Sequence, residues 1–67
     1  MSDLGEIADA IEDVGRRLDE AIFSVVRAQM RDPGDDDARE LERRLARARR
    51  SLVKAAALVR DSSDLVE

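Results

Sequence analysis

Asp32-Pro33-Gly34-Asp35-Asp36-Asp37 holds the only proline of the chain, and the sequence on both sides of it repeats with a helical period. Asp32 precedes proline, which crowds it out of the helical region, and Gly34 can take the left-handed conformation of a turn. A helix arriving from the N-terminal side must stop here. The carboxylates that follow can accept the orphan backbone N–H groups of a helix start and favour the positive end of its dipole. Asp37 and Glu40 stand at capping-box spacing, so a second helix is expected to start within Asp35 to Asp37.

Two apolar ladders flank this break. Leu4, Ile7, Ile11, Val14, Leu18, Ala21, Val25 and Ala28 step by three and four, and Ala38, Leu41, Leu45, Ala48, Leu52, Ala55 and Val59 repeat the step beyond it. Sustained three-four spacing marks helices packed along a seam. The expected boundaries are helix one at about 3–31, a turn at 32–35, helix two at about 36–61 and a frayed acidic tail at 62–67. Ser2 or Asp3 is placed to cap the first helix, with Glu6 at box spacing from Asp3. A connection this short makes the helices antiparallel neighbours. The expected fold is therefore all-α, a single coiled-coil-like hairpin domain. Its seam is expected at Leu4, Ile7, Ile11, Val14, Leu18 and Val25 of helix one, and at Leu41, Leu45, Ala48, Leu52, Ala55 and Val59 of helix two. Gly15 stands beside that seam, where a missing side chain permits close approach.

Sixty-seven residues are few for a hydrophobic core, since a chain this short buries only about 60% of the surface its unfolded form exposes. The usual staples are excluded: without cysteine there is no disulfide, and without cysteine or histidine a zinc site lacks its ordinary ligands. Oligomerisation is the staple that remains. No apolar run approaches the ~18 residues of a membrane span, and the acidic start Met1-Ser2-Asp3-Leu4-Gly5-Glu6 is unlike a secretory signal. A cytoplasmic protein with no membrane partner is expected. Eleven Arg against one Lys, with much Ala, Asp and Val, associates the chain with GC-rich bacterial coding.

The net charge of −4 conceals an asymmetry. Residues 38–60 carry eight bases against two acids, whereas residues 1–31 carry seven acids against four Arg and residues 32–37 add four Asp. Helix two is a basic rod in an acidic protein.

Several apolar residues fall outside the seam. With Leu4 at position a of a heptad, Phe23 and Met30 are at f and Val26 at b, forming a second stripe on the turn-proximal half of helix one. Helix two has a surplus at the far end, including Val53 and Ala57. Contiguous apolar stripes mark interfaces. A twofold antiparallel dimer would set one copy's turn end beside the other's open end, so that Phe23, Val26 and Met30 meet Val53 and Ala57 in a four-helix bundle.

Chemistry is poorly provided for. Histidine, cysteine, tyrosine and tryptophan are absent, Lys54 is the only lysine, and Ser24 and Ser51 have no activating base. Glu6, Asp9, Glu12, Asp13, Asp19 and Glu20 fall on outward heptad positions, and Asp-Pro-Gly-Asp-Asp-Asp lacks the alternating spacing of a calcium loop. No catalytic, cofactor or metal residue is assigned. Arg39, Arg43, Arg47, Arg50 and Lys54 form a basic outer face on helix two. Like charges at that spacing repel, so they call for acidic protein or phosphate. An acidic whole chain without stacking aromatics and without a recognisable binding motif weighs against nucleic acid.

Glu20, Ser24, Arg27 and Asp35 stand at spacings that resemble the signature of helical-hairpin anti-sigma factors that bind a cyclic dinucleotide. That resemblance covers one helix. It implies a sensor whose Arg and Asp hold guanine, although Arg31 replaces the usual Gln and Asp35 lies beyond Pro33. The leading expectation is a non-catalytic protein–protein interaction or regulatory module that homodimerises and can also engage another protein. A small nucleic-acid-associated regulator using the Arg face comes second, and a cyclic-dinucleotide-sensing hairpin third.

Overall fold

A computed structural model describes residues 3–66 and packs two α-helices, α1 (Leu4–Arg31) and α2 (Asp36–Val66), against each other. No strand occurs among the described residues. Asp3 caps α1, its Oδ1 accepting hydrogen bonds from the backbone N–H groups of Gly5 at 2.9 Å and Glu6 at 3.4 Å. Ser2, the other candidate cap, lies outside the described residues.

At the break, the Asp32 N–H donates to the Ala28 carbonyl at 3.0 Å, and the Asp35 N–H donates to the Asp32 carbonyl at 3.2 Å. That four-residue closure needs no left-handed residue: no glycine among the described residues has positive φ, so Gly34 does not use the freedom expected of it. Asp35 then caps α2, with its Oδ1 accepting from the Ala38 N–H at 3.0 Å. The Arg39 guanidinium reaches back across the turn and donates to the Pro33 carbonyl at 2.9 Å.

Ion pairs and hydrogen bonds between the helices fix their direction. Asp9 and Glu12 meet Arg60, Asp19 meets Arg49, and Gln29 meets Glu42, so numbers rise along α1 as they fall along α2. The hairpin is antiparallel, and its Cα trace extends 52 × 14 × 13 Å.

This register explains why α2 continues to Val66, past the expected end near residue 61 and through most of the stretch expected to fray. Ala8 is fully buried, and with Arg60 beside Asp9 and Glu12 it lies where chain beyond Arg60 must cover it. Ser62 fits the helix by donating its hydroxyl to the Leu58 carbonyl at 2.7 Å. Glu67, the last residue of the expected tail, lies outside the described residues.

The seam is rotated from its expected position. Leu4, Ile11, Leu18 and Val25 of α1, and Leu45, Leu52 and Val59 of α2, are at least half-buried as expected. The alternate rungs differ. Ile7 is 40%, Val14 44% and Leu41 46% exposed, and Ala48 is also exposed. Ala8, Gly15, Ile22 and Gln29 take their place on α1, as do Glu42, Arg49 and Ala56 on α2. Each is one residue further along the chain.

The cause is the width of the apolar stripe. Positions a, d and e together cover the roughly 100° arc of a helix in a larger core, more than a two-helix contact can use. The small residues Ala8 and Ala56 are buried on the a/e side, and Gly15 there leaves room for a side chain from α2. A Cβ built on Gly15 would lie 2.7 Å from Arg49 Nη1, so the glycine makes the space that this guanidinium fills. Gly15 is thus inside the seam, not beside it.

Candidate interaction surfaces

The two flanks of the seam present two broad faces. In an antiparallel pair the same heptad position from both helices falls on the same side, so the b/f rows share one face and the d/g rows share the other.

The b/f face is charged. The Arg60 guanidinium donates to Asp9 Oδ1 at 3.0 Å and to Glu12 Oε1 at 2.6 Å, and Arg49 Nε donates to Asp19 Oδ1 at 2.9 Å. These carboxylates raise the pKa of Arg60, through its hydrogen bond to Asp9 first and that to Glu12 second. The linked stabilisation is present below the ordinary arginine pKa and lost only as pH rises through the raised value, in strong alkali. Arg16 also pairs with Asp13 along α1. Between these groups runs an open groove of about 460 Å³ lined by residues that include Glu12, Arg49, Val53, Ala57 and Arg60.

The stripe expected to form a second interface lies on this charged side. Phe23 is 61% and Met30 78% exposed, while Val26 is half-buried against the seam. Val53 and Ala57 are exposed beside the groove. The Phe23 ring has a local partner, because the Arg27 guanidinium carbon sits 5.6 Å from its centroid in a cation–π contact.

The d/g face is the apolar one. It carries Ile7, Val14, Ala21 and Ala28 from α1 with Leu41, Ala48, Ala55 and Leu58 from α2; all but Ala21 and Ala55 are exposed. Among the residues at its d and g positions, charge is confined to Asp3, Arg17, Arg31, Asp37 and Arg44. The d row, expected in the seam, lies on this surface instead, and its sequence signal is the a/d/e width of the ladders.

The basic residues Arg39, Arg43, Arg47, Arg50 and Lys54 are all exposed along the outside of α2. Arg39 is engaged by the Pro33 carbonyl, while Glu40 serves both Arg43 and Arg44, at 3.3 and 3.1 Å. Arg43, Ala46, Arg47 and Arg50 line a shallow depression with Glu42. Of the residues that resemble the dinucleotide-binding signature, Glu20, Ser24 and Arg27 are exposed on α1, whereas Asp35 stands at the start of α2 with its carboxylate on a backbone N–H. The proline turn thus separates Asp35 from the other three.

Among the described residues no group of three or more carboxylates converges as a cation site would require, and no helix is long and apolar enough to cross a membrane. No protein-family model, curated protein or solved structure matches the chain.

Proposed function

We propose that this chain is a non-catalytic protein–protein interaction and regulatory module that works by self-association, two hairpins forming a four-helix bundle. One observation carries the reading. The buried apolar residues among those described are two alanines, Ala8 and Ala56, and no large side chain is fully buried. Ile7, Val14, Phe23, Met30, Leu41, Val53, Leu58 and Leu65 meanwhile stand 40–87% exposed. Each large apolar side chain left in water forgoes ~1.5–3 kcal/mol of available burial. A small domain without disulfide or zinc gains that stabilisation by association. The mechanism is assembly without a cofactor: apolar surfaces supply stability, and the unequal distribution of charge orients the partners.

Sedimentation equilibrium at micromolar concentration tests the reading. The expected mass is twice the 7.5 kDa of one chain. A fully helical species at the monomer mass would overturn it.

A second reading has its own observation. Arg47, Arg50 and Lys54 are exposed, and none forms an ion pair at 4.0 Å or less among the described residues. A nucleic-acid-associated regulator would use this strip on phosphates. Binding to duplex DNA or RNA that persists at physiological salt and falls when Arg47 and Arg50 become Ala would support that reading; no binding there would end it.

A further inference from the structure

We infer that the second copy docks on the d/g face, antiparallel, about a twofold axis that crosses the helices near Arg17 and Ser51. This inference rests on the self-association proposed above and specifies its geometry. Three observations favour it.

The first is composition. Ile7, Val14, Ala28, Leu41, Ala48 and Leu58 make this the more apolar face, with Arg17, Arg31 and Arg44 on its g row, whereas the opposite face is crossed by the Arg60 and Arg49 ion pairs. Docking there would desolvate those charged groups, which is costly unless each keeps a partner. The Cα trace is 52 Å long and 14 Å wide, so the footprint of one broad face is on the order of 700 Å², near the ~800 Å² per partner of a standard interface.

The second observation is shape. On α1 the bulk of this face lies toward the open end, in Ile7 and Val14, with Ala21 and Ala28 toward the turn, while α2 has Leu58 toward the open end and Leu41 toward the turn. An antiparallel stack sets α1 on α1, large against small, as interdigitating layers require. A parallel stack would place the bulky ends together.

The third is charge. The turn half, residues 21–51, holds eight bases against six acids, for +2; the open half, residues 1–20 and 52–67, holds four bases against ten acids, for −6. Antiparallel docking places opposite signs side by side and separates the two acidic ends. The closed symmetry of such a dimer also leaves neither d/g face free to propagate assembly.

The absence of cysteine makes a direct test available. Ser51 and Arg50 are adjacent, exposed and near the midpoint of α2, but Ser51 is at g on the apolar face and Arg50 at f on the charged one. Ser51→Cys and Arg50→Cys are oxidised separately, then analysed by non-reducing electrophoresis beside sedimentation of the unmodified chain. A dimeric mass with disulfide linkage in Ser51→Cys, and little in Arg50→Cys, is the expected result. Linkage in Arg50→Cys alone overturns the docking face while leaving self-association intact. A dimeric mass with neither variant linked overturns the antiparallel geometry, again without touching self-association. A folded monomer removes both proposals together.

Discussion

The two faces of the hairpin carry similar numbers of large apolar residues and differ in what surrounds them. On the b/f side Phe23 and Val53 share the surface with Glu12, Asp19 and Arg60, and charges span the helices. On the d/g side Ile7, Val14, Leu41 and Leu58 are interleaved with Ala and Ser and with Arg17 and Arg44, and no ion pair crosses between the helices there among the described residues. The amount of exposed hydrocarbon does not by itself identify a docking surface. A charged neighbour must be desolvated or kept paired when a partner arrives, and a methyl neighbour imposes no such cost.

Mutations should rank accordingly. Leu18→Asp places a carboxylate in the seam beneath both faces and should cost ~3 kcal/mol or more, removing most of the helical circular dichroism at 25 °C. Val14→Asp should weaken association by ~1.5–3 kcal/mol, tenfold or more in Kd by sedimentation. Phe23→Asp should change Kd far less, and an equal effect would erase the distinction between the faces. Asp35→Ala, which removes the cap of α2, should lower stability by ~1 kcal/mol in thermal denaturation without altering which face docks.

Gly15→Ala should leave stability within ~1 kcal/mol, because the gain in helix propensity is set against displacement of the flexible end of Arg49. It should also silence Asp19→Ala, whose effect requires Arg49 in its present seat; a double-mutant cycle by chemical denaturation checks this coupling. Arg60→Ala should have the smallest effect of all. Its groups are exposed, and the difference from wild type in melting temperature should vanish near 1 M salt, where the Debye length falls to ~3 Å.

Helices, break and pairing direction follow from local chemistry and are visible in the sequence: Pro33 stops one helix, Asp35 offers a cap to the next, and the short turn makes them neighbours. The a-row residues Leu4, Ile11, Leu18 and Val25 were equally legible, because they belong to every arrangement the ladder permits. The d row was not. Whether Ile7 or Ala8 faces the neighbouring helix differs by 100° of rotation, and hydrophobicity alone favours Ile7. The burial of Ala8 and Ala56 and the seat of Arg49 over Gly15 favour the other choice, and that benefit exists only when both helices are present. Arg49 and Glu42 were hidden for the same reason: as seam residues they are intelligible only beside Asp19 and Gln29, from the other helix. The far end of α2 was misjudged because its serines oppose helix locally, while its register with Ala8 favours helix.

The seat of Arg49 over Gly15 has one more consequence. A ladder of near-equivalent heptads offers several registers to two sliding helices, and apolar burial distinguishes them weakly. Moving α2 by one heptad would carry this guanidinium from the glycine to Ala8 or Ile22, where a Cβ occupies the space it now fills. The glycine and the arginine together act as a detent, giving a smooth rail a single stop.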